Sequence, residues 1–146
     1  MSRRHRDRLA IDGATPFRRE PFPEWPVSGP EEECSLLDLL HNDKWGIGSA
    51  KIAEFETKFA AFQNADHCVA VTNGTVAIEM ALRATGITYG DEVIVPPFTF
   101  VATASAVLTV GGVPVFADVQ PDTWLIDPEQ IEAMVSARTR AIIPVH

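Results

Sequence analysis

The 146-residue chain reads as an α/β fold on a mainly parallel sheet with flanking helices. Three observations predict this. Short apolar runs alternate with segments of helical length from Cys68 onward. The runs are nearly free of charge, as parallel strands covered on both faces are. Turn signals separate them: Gly86, Pro96-Pro97 and Gly111-Gly112.

The elements follow in order. Pro16, Pro21, Pro23, Pro26 and Pro30 make residues 1–30 an extended arm, leaving 31–146 for the packed domain. Residues 31–40 form a helix whose acidic start suits the helix dipole. A turn over 41–48 leads to a helix over 49–63. There Ile52, Phe55, Phe59 and Phe62 share one face, and Lys51, Glu54 and Lys58 turn away from it. Residues 68–71 are a strand, 75–84 a helix stopped by Gly86, and 92–95 a second buried strand. A helix over 100–110, with Thr99 as N-cap, precedes a third strand over 113–117. Asp127-Pro128-Glu129-Gln130 opens the next helix, with Asp as cap and Pro at the first helical position. Residues 141–145 are a fourth strand. Right-handed crossovers join such strands, and ligands bind at their carboxyl ends. Function is therefore expected in the loops at 72–75, 96–99 and 118–123.

Composition narrows the classes. A formal net charge of −8 argues against general nucleic-acid binding, which needs a surplus of Lys and Arg. Residues 1–20 run the other way, with six Arg against Asp7, Asp12 and Glu20, a local +3. A nucleic-acid arm, a targeting peptide and a solvated terminus all fit; the last is expected. No apolar stretch follows the arginines, which argues against a secretory signal. Residues 93–117 lack charge over a length that could cross a bilayer, but the prolines and glycines cut that run into three. No membrane partner is expected. Cys34 and Cys68 imply no disulfide framework and suit a reducing, cytoplasmic setting.

The loops suggest chemistry. In Thr72-Asn73-Gly74-Thr75 a strand feeds directly into a helix. The first amides of that helix have no internal partner, Gly74 allows close approach, and the Thr75 hydroxyl adds a donor. A phosphate cradle and an ordinary capped helix both fit. In Pro96-Pro97-Phe98-Thr99-Phe100 an aromatic could stack on a planar ligand, or both rings could be core. Asp118, Asp122 and Asp127 each have a local structural explanation, so no metal site is expected. His41, His67 and His146 show no ligand spacing, and Cys68 reads as a buried small hydrophobe. One glycine in the 72–75 loop falls short of a dinucleotide fingerprint.

Several motifs in series resemble one family. W-G-I-G-S-A-K-I-A-E-F-E-T-K-F-A-A-F, A-V-T-N-G-T-V-A-I, G-D-E-V-I-V-P-P-F-T-F-V-A-T, G-G-V-P-V-F-A-D-V, I-D-P-E-Q-I-E and R-T-R-A-I-I-P-V-H occur in the order seen in DegT/DnrJ/EryC1/StrS aminotransferases. The opening L-A-I-D-G-A-T-P-F-R is similar to members acting on cyclic ketones, the 3-amino-5-hydroxybenzoate synthase and inosose aminotransferase branch. The resemblance implies pyridoxal 5'-phosphate (PLP) and the N-terminal part of a fold-type-I large domain, within a homodimer. It implies amino transfer from glutamate or glutamine to a keto-sugar, nucleotide-linked keto-sugar or cyclitol ketone. Gly74 and Thr75 match the phosphate turn, and Phe100 matches the ring that stacks on the pyridine. Trp45, Gly46 and Gly48 match a turn near the substrate.

In the family, the Schiff-base Lys and the Asp that pairs with the pyridine nitrogen lie downstream of the P-V-H motif. Lys44, Lys51 and Lys58 precede the phosphate turn and match no catalytic position. The resemblance thus implies the first third of an enzyme, with no catalytic residue in these positions and no activity alone. Dehydratases of the family carry His in place of that Lys, and a non-catalytic binding module also remains open. The strand at 68–71 is expected to lack its usual neighbour, leaving unpaired backbone and exposed apolar surface. The 146-residue chain alone should therefore be marginally stable or aggregate on heating. Thermal unfolding followed with light scattering checks this; a monomer with an ordinary cooperative transition overturns it.

Overall fold

The computed structural model describes residues 9–42 and 45–146. The basic cluster Arg3, Arg4, Arg6 and Arg8, and Lys44 of the 41–48 turn, lie outside the described residues. Two compact units are present, Met1–Ala53 and Glu54–His146, and each is taken by itself.

In the first unit a single 3-10 turn, Ala10–Asp12, precedes proline-rich chain without regular structure. Helix α1 is Pro30–His41. Proline occupies its first position, and the Glu32 carboxylate reaches back to accept the Gly29 N–H at 2.7 Å. Helix α2, Ala50–Phe62, runs from this unit into the next, and Ser49 caps it by accepting the Lys51 N–H at 3.3 Å. Asn64, at φ 52, ends it: the Ala65 N–H donates to the Ala60 carbonyl at 2.9 Å.

The second unit holds α3 (Gly74–Ala84), β1 (Glu92–Val95), α4 (Ala102–Thr109), β2 (Val113–Phe116), α5 (Pro128–Met134) and β3 (Thr139–Ile142). The sheet order is β2-β1-β3, and both pairings are parallel. Val93 and Val95 pack one face of β1 against Leu82, Ile87, Ala106, Val107 and Val110 from the α3 and α4 layer. Ile94, on the opposite face, is also sealed from solvent. Among the described residues no helix is long and apolar enough to cross a membrane.

Three expectations need correction. Residues 68–71 form no strand. Val69 is exposed, and the Ala70 N–H donates to the Glu56 carboxylate at 2.8 Å rather than to a ladder. Thr99 does not cap α4, which starts two residues later than expected. Its Oγ1 instead bonds the Thr103 hydroxyl at 2.8 Å, and the Phe100 carbonyl accepts the Thr103 N–H at 3.0 Å. β3 begins two residues early, because a bulge between Glu92 and Val93 skips Arg140.

Two devices hold the amino-terminal end of the sheet. Gly111 takes φ 88, and a Cβ on Gly112 would lie 3.0 Å from Val107 Cγ1 and 3.3 Å from the Asp91 carbonyl oxygen. The glycine pair thus lets α4 turn tightly back beside β1. The second device is the buried Glu92 carboxylate. It accepts hydrogen bonds from the Ser136 hydroxyl and the Arg138 guanidinium, the latter through Nε at 2.8 Å. These bonds, Ser136 first and Arg138 second, hold Glu92 below the usual carboxylate range. Asp91 is held low in the same way by the Thr88 backbone N–H and hydroxyl, with Arg140 adding a smaller pull.

Gly112→Ala should destabilise the chain by about 1–3 kcal/mol through crowding at Val107, read as a lowered urea midpoint. The two carboxylates contribute to the acid side of the stability curve. Because their folded pKa values lie below the unfolded ones, their stabilisation is complete above the unfolded range near pH ~4. It is lost as pH falls through the folded values. Glu92→Gln should lower the thermal midpoint at pH 7, and the gap to wild type should shrink as the pH is taken down. A gap that stays constant with pH would show that the charge of Glu92 contributes nothing.

Candidate functional site

β1 ends in a stiff loop. Pro96 is fully buried, and the chain then turns outward through Pro97 to Phe98, Thr99 and Phe100. Phe98 and Phe100 are 61% and 77% exposed, so neither is a core ring. Exposed aromatics at the carboxyl end of a central parallel strand are candidates for contact with a ligand.

Phe98 meets a residue whose role sequence reasoning missed. Its ring lies 5.1 Å from Trp124, tilted by 47°. Trp124 sits in a small hairpin after β2, where Val119 and Ile126 bridge antiparallel and the Asp127 N–H donates to the Asp118 carbonyl at 2.9 Å. Its φ of 60 is left-handed, a conformation costing a bulky residue roughly 1–2 kcal/mol. The turn compensates with bonds between Gln120 and residues 124 and 125: the Trp124 N–H donates to the Gln120 carbonyl, and the Gln120 N–H donates to the Leu125 carbonyl, both at 2.9 Å.

These loops line a cleft of about 540 Å³. Pro97, Phe98, Thr99 and Phe100 form one side, Thr123, Trp124 and Leu125 another, and Val145 and His146 extend from the end of β3. The walls are apolar with a few hydroxyls and one imidazole, the pattern of a small-molecule site.

The start of α3 is a second candidate. Asn73 is extended and caps the helix, its Oδ1 accepting the Val76 N–H at 3.0 Å. The amides of Gly74 and Thr75 precede the first internal bond, from the Ala77 N–H to the Asn73 carbonyl at 3.1 Å. They point along the axis with the positive end of the dipole. Gly74 is exposed, and a Cβ there would meet nothing within 4 Å. The donor set and open surface suit a phosphate group. Gly74 and Thr75 are not walls of the Phe100 cleft, although α3 and α4 pack together.

The turn at 45–48 belongs to the first unit. Gly46 and Gly48 take φ 73 and 89, and the Ser49 N–H donates to the Gly46 carbonyl at 3.1 Å. Both glycines are therefore required by backbone geometry. Trp45 is exposed beside them. Two of the three aspartates weighed above make local bonds: Asp118 Oδ1 accepts the Val119 N–H at 2.7 Å and Asp127 Oδ1 accepts the Glu129 N–H at 3.1 Å.

Known proteins share this chain's sequence pattern and fold. The L-glutamine:2-deoxy-scyllo-inosose aminotransferase of Streptomyces kanamyceticus is 41% identical over 146 residues, covering 95% of this chain and 34% of that protein. A putative L-glutamine:3-amino-2,3-dideoxy-scyllo-inosose aminotransferase of Micromonospora echinospora is 42% identical over 142 residues, again 95% and 34%. The chain thus spans about a third of the length of the curated relatives it matches. Among solved structures, 3-amino-5-hydroxybenzoic acid synthase superposes with a TM-score of 0.82 at 42% identity, covering 86% of this chain and 33% of that one. NtdA of Bacillus subtilis, with bound cofactor PMP, gives 0.77 at 36% identity, covering 88% and 31%. The model of the DegT/DnrJ/EryC1/StrS aminotransferase family matches residues 27–146. Motif order, parallel sheet and family match converge: this chain belongs to the DegT/DnrJ/EryC1/StrS aminotransferases, a PLP-dependent family.

Proposed function

We propose that the protein acts in a PLP-dependent aminotransferase that moves an amino group from glutamine or glutamate to the ketone of a cyclitol or keto-sugar. The observation that carries this reading is the open, capped start of α3, where Gly74 and Thr75 offer amides and a hydroxyl to a phosphate. The glutamine:scyllo-inosose aminotransferases among its relatives support the substrate class.

In this reading residues 31–146 are the N-terminal part of the PLP-binding domain, with 1–30 as an arm, in a cytoplasmic homodimer. Gly74 and Thr75 hold the phosphate, and Phe100, 77% exposed, covers a face of the pyridine ring. Trp45, Gly46 and Gly48 shape the substrate side. When bound, PLP supplies the carbonyl that exchanges with the amino group and a ring that withdraws electrons. The reading assigns the anchoring amine to none of the described lysines. Lys58 donates to Glu54 at 2.6 Å, which raises its pKa, the opposite of what a nucleophilic amine needs. Lys51 stands at the capped start of α2. The family's Schiff-base position falls downstream of the P-V-H motif.

The test uses the complete gene product. Glutamine-dependent amination of 2-deoxy-scyllo-inosose or of a keto-sugar should be detected, and amination of none of them overturns the reading. Thr75→Val should weaken PLP binding about tenfold, as loss of one charge-assisted hydrogen bond does, and leave pyridoxal binding unchanged. Equal affinity of wild type and variant for PLP removes Thr75 from the phosphate site.

A further inference from the structure

Trp124 is costly where it stands. Its φ of 60 would suit Gly or Asn better, and the turn is held by backbone bonds and the Thr123 hydroxyl rather than by the indole. Burial does not explain the residue, because it is 57% exposed. What the indole does is meet Phe98 at 5.1 Å and form a wall of the cleft that also contains Phe100 and His146.

We infer that Trp124, backed by Phe98, is a specificity-determining wall that receives the C–H face of a cyclic polyol ketone. The inference rests on the aminotransferase reading and deepens it. A saturated ring with equatorial hydroxyls is amphipathic. Its C–H face is apolar and flat enough to lie on an aromatic, while its hydroxyls need polar partners at the rim. The cleft offers that combination: two aromatic rings in contact, with the His146 imidazole and the Thr99 and Thr123 hydroxyls beside them, each hydroxyl bonded within the chain and keeping a lone pair that can accept. A linear amino donor has no such flat face. The wall should therefore discriminate for the acceptor and be indifferent to the donor.

The experiment separates the two half-reactions in the complete gene product loaded with PLP. Trp124→Gly removes the indole and suits the left-handed turn, so the fold is kept. Its reaction with glutamine should stay within about twofold of wild type, while KM for 2-deoxy-scyllo-inosose rises about tenfold. Trp124→Phe should recover most of that loss. Calorimetric titration with the same ketone should show the same order of affinities without turnover. An unchanged KM for the ketone in Trp124→Gly overturns the inference, as does an equal loss of both half-reactions. Absence of glutamine-dependent amination in wild type overturns the aminotransferase reading, and the inference with it.

Discussion

The sealing of β1 is the constraint on which the rest of the second unit depends. Glu92 is 6% exposed, and Val93, Ile94 and Val95 are wholly buried. A strand with no solvent face must be paired on both edges and covered on both sides, and β2 and β3 supply the edges in parallel. Parallel pairing in turn requires a crossover between successive strands, which α4 and α5 provide. The carboxyl ends of all three strands then lie at one edge of the sheet, so Phe98, Phe100, Trp124 and His146 meet around one cleft although they are far apart in sequence.

Much of this was legible because burial on both faces leaves a plain signature. The uncharged run from Val93 to Ala117, broken by Pro96-Pro97 and Gly111-Gly112, gives β1 and β2 nearly to the residue and α4 with its start two residues off. The Asp127-Pro128 start of α5 was equally clear, since cap and first-turn proline are local chemistry. The errors fell where local sequence does not decide. Residues 68–71 carry strand-like side chains, but strand identity needs a partner, and here the Ala70 N–H finds the Glu56 carboxylate instead. The early start of β3 follows from the bulge at Arg140, which no alternation pattern encodes.

The candidate site shows the same division. Gly74 and Thr75 stood out because a small-residue turn between an apolar run and a helix leaves unpaired amides at the helix start, which fit a phosphate or an ordinary cap alike. Phe98 and Phe100 were ambiguous, since spacing cannot tell a core ring from an exposed one. Trp124 was invisible: nothing in Asp122-Thr123-Trp124-Leu125 announces a positive φ on the bulkiest residue present. The bonds that impose it come from Gln120 and Leu125, and they exist only once the hairpin from Val119 to Ile126 has formed.

The two ends of β1 are built on opposite principles. At the amino end polar groups are satisfied and backbone is relaxed by glycine. Glu92 joins β1 to Ser136 and Arg138, Asp91 ties Thr88, and Gly112 stands where a methyl group would crowd Val107. At the carboxyl end large apolar rings stay exposed and Trp124 is held in a strained conformation. Exposed rings and backbone strain both oppose folding, so they persist only where the remaining structure can carry them. The locked end supplies that reserve, and its bonds from Glu92 to Ser136 and Arg138 join segments more than forty residues apart. A sheet fastened at one end can keep its other end open, and the open end is where the chain presents its aromatic cleft.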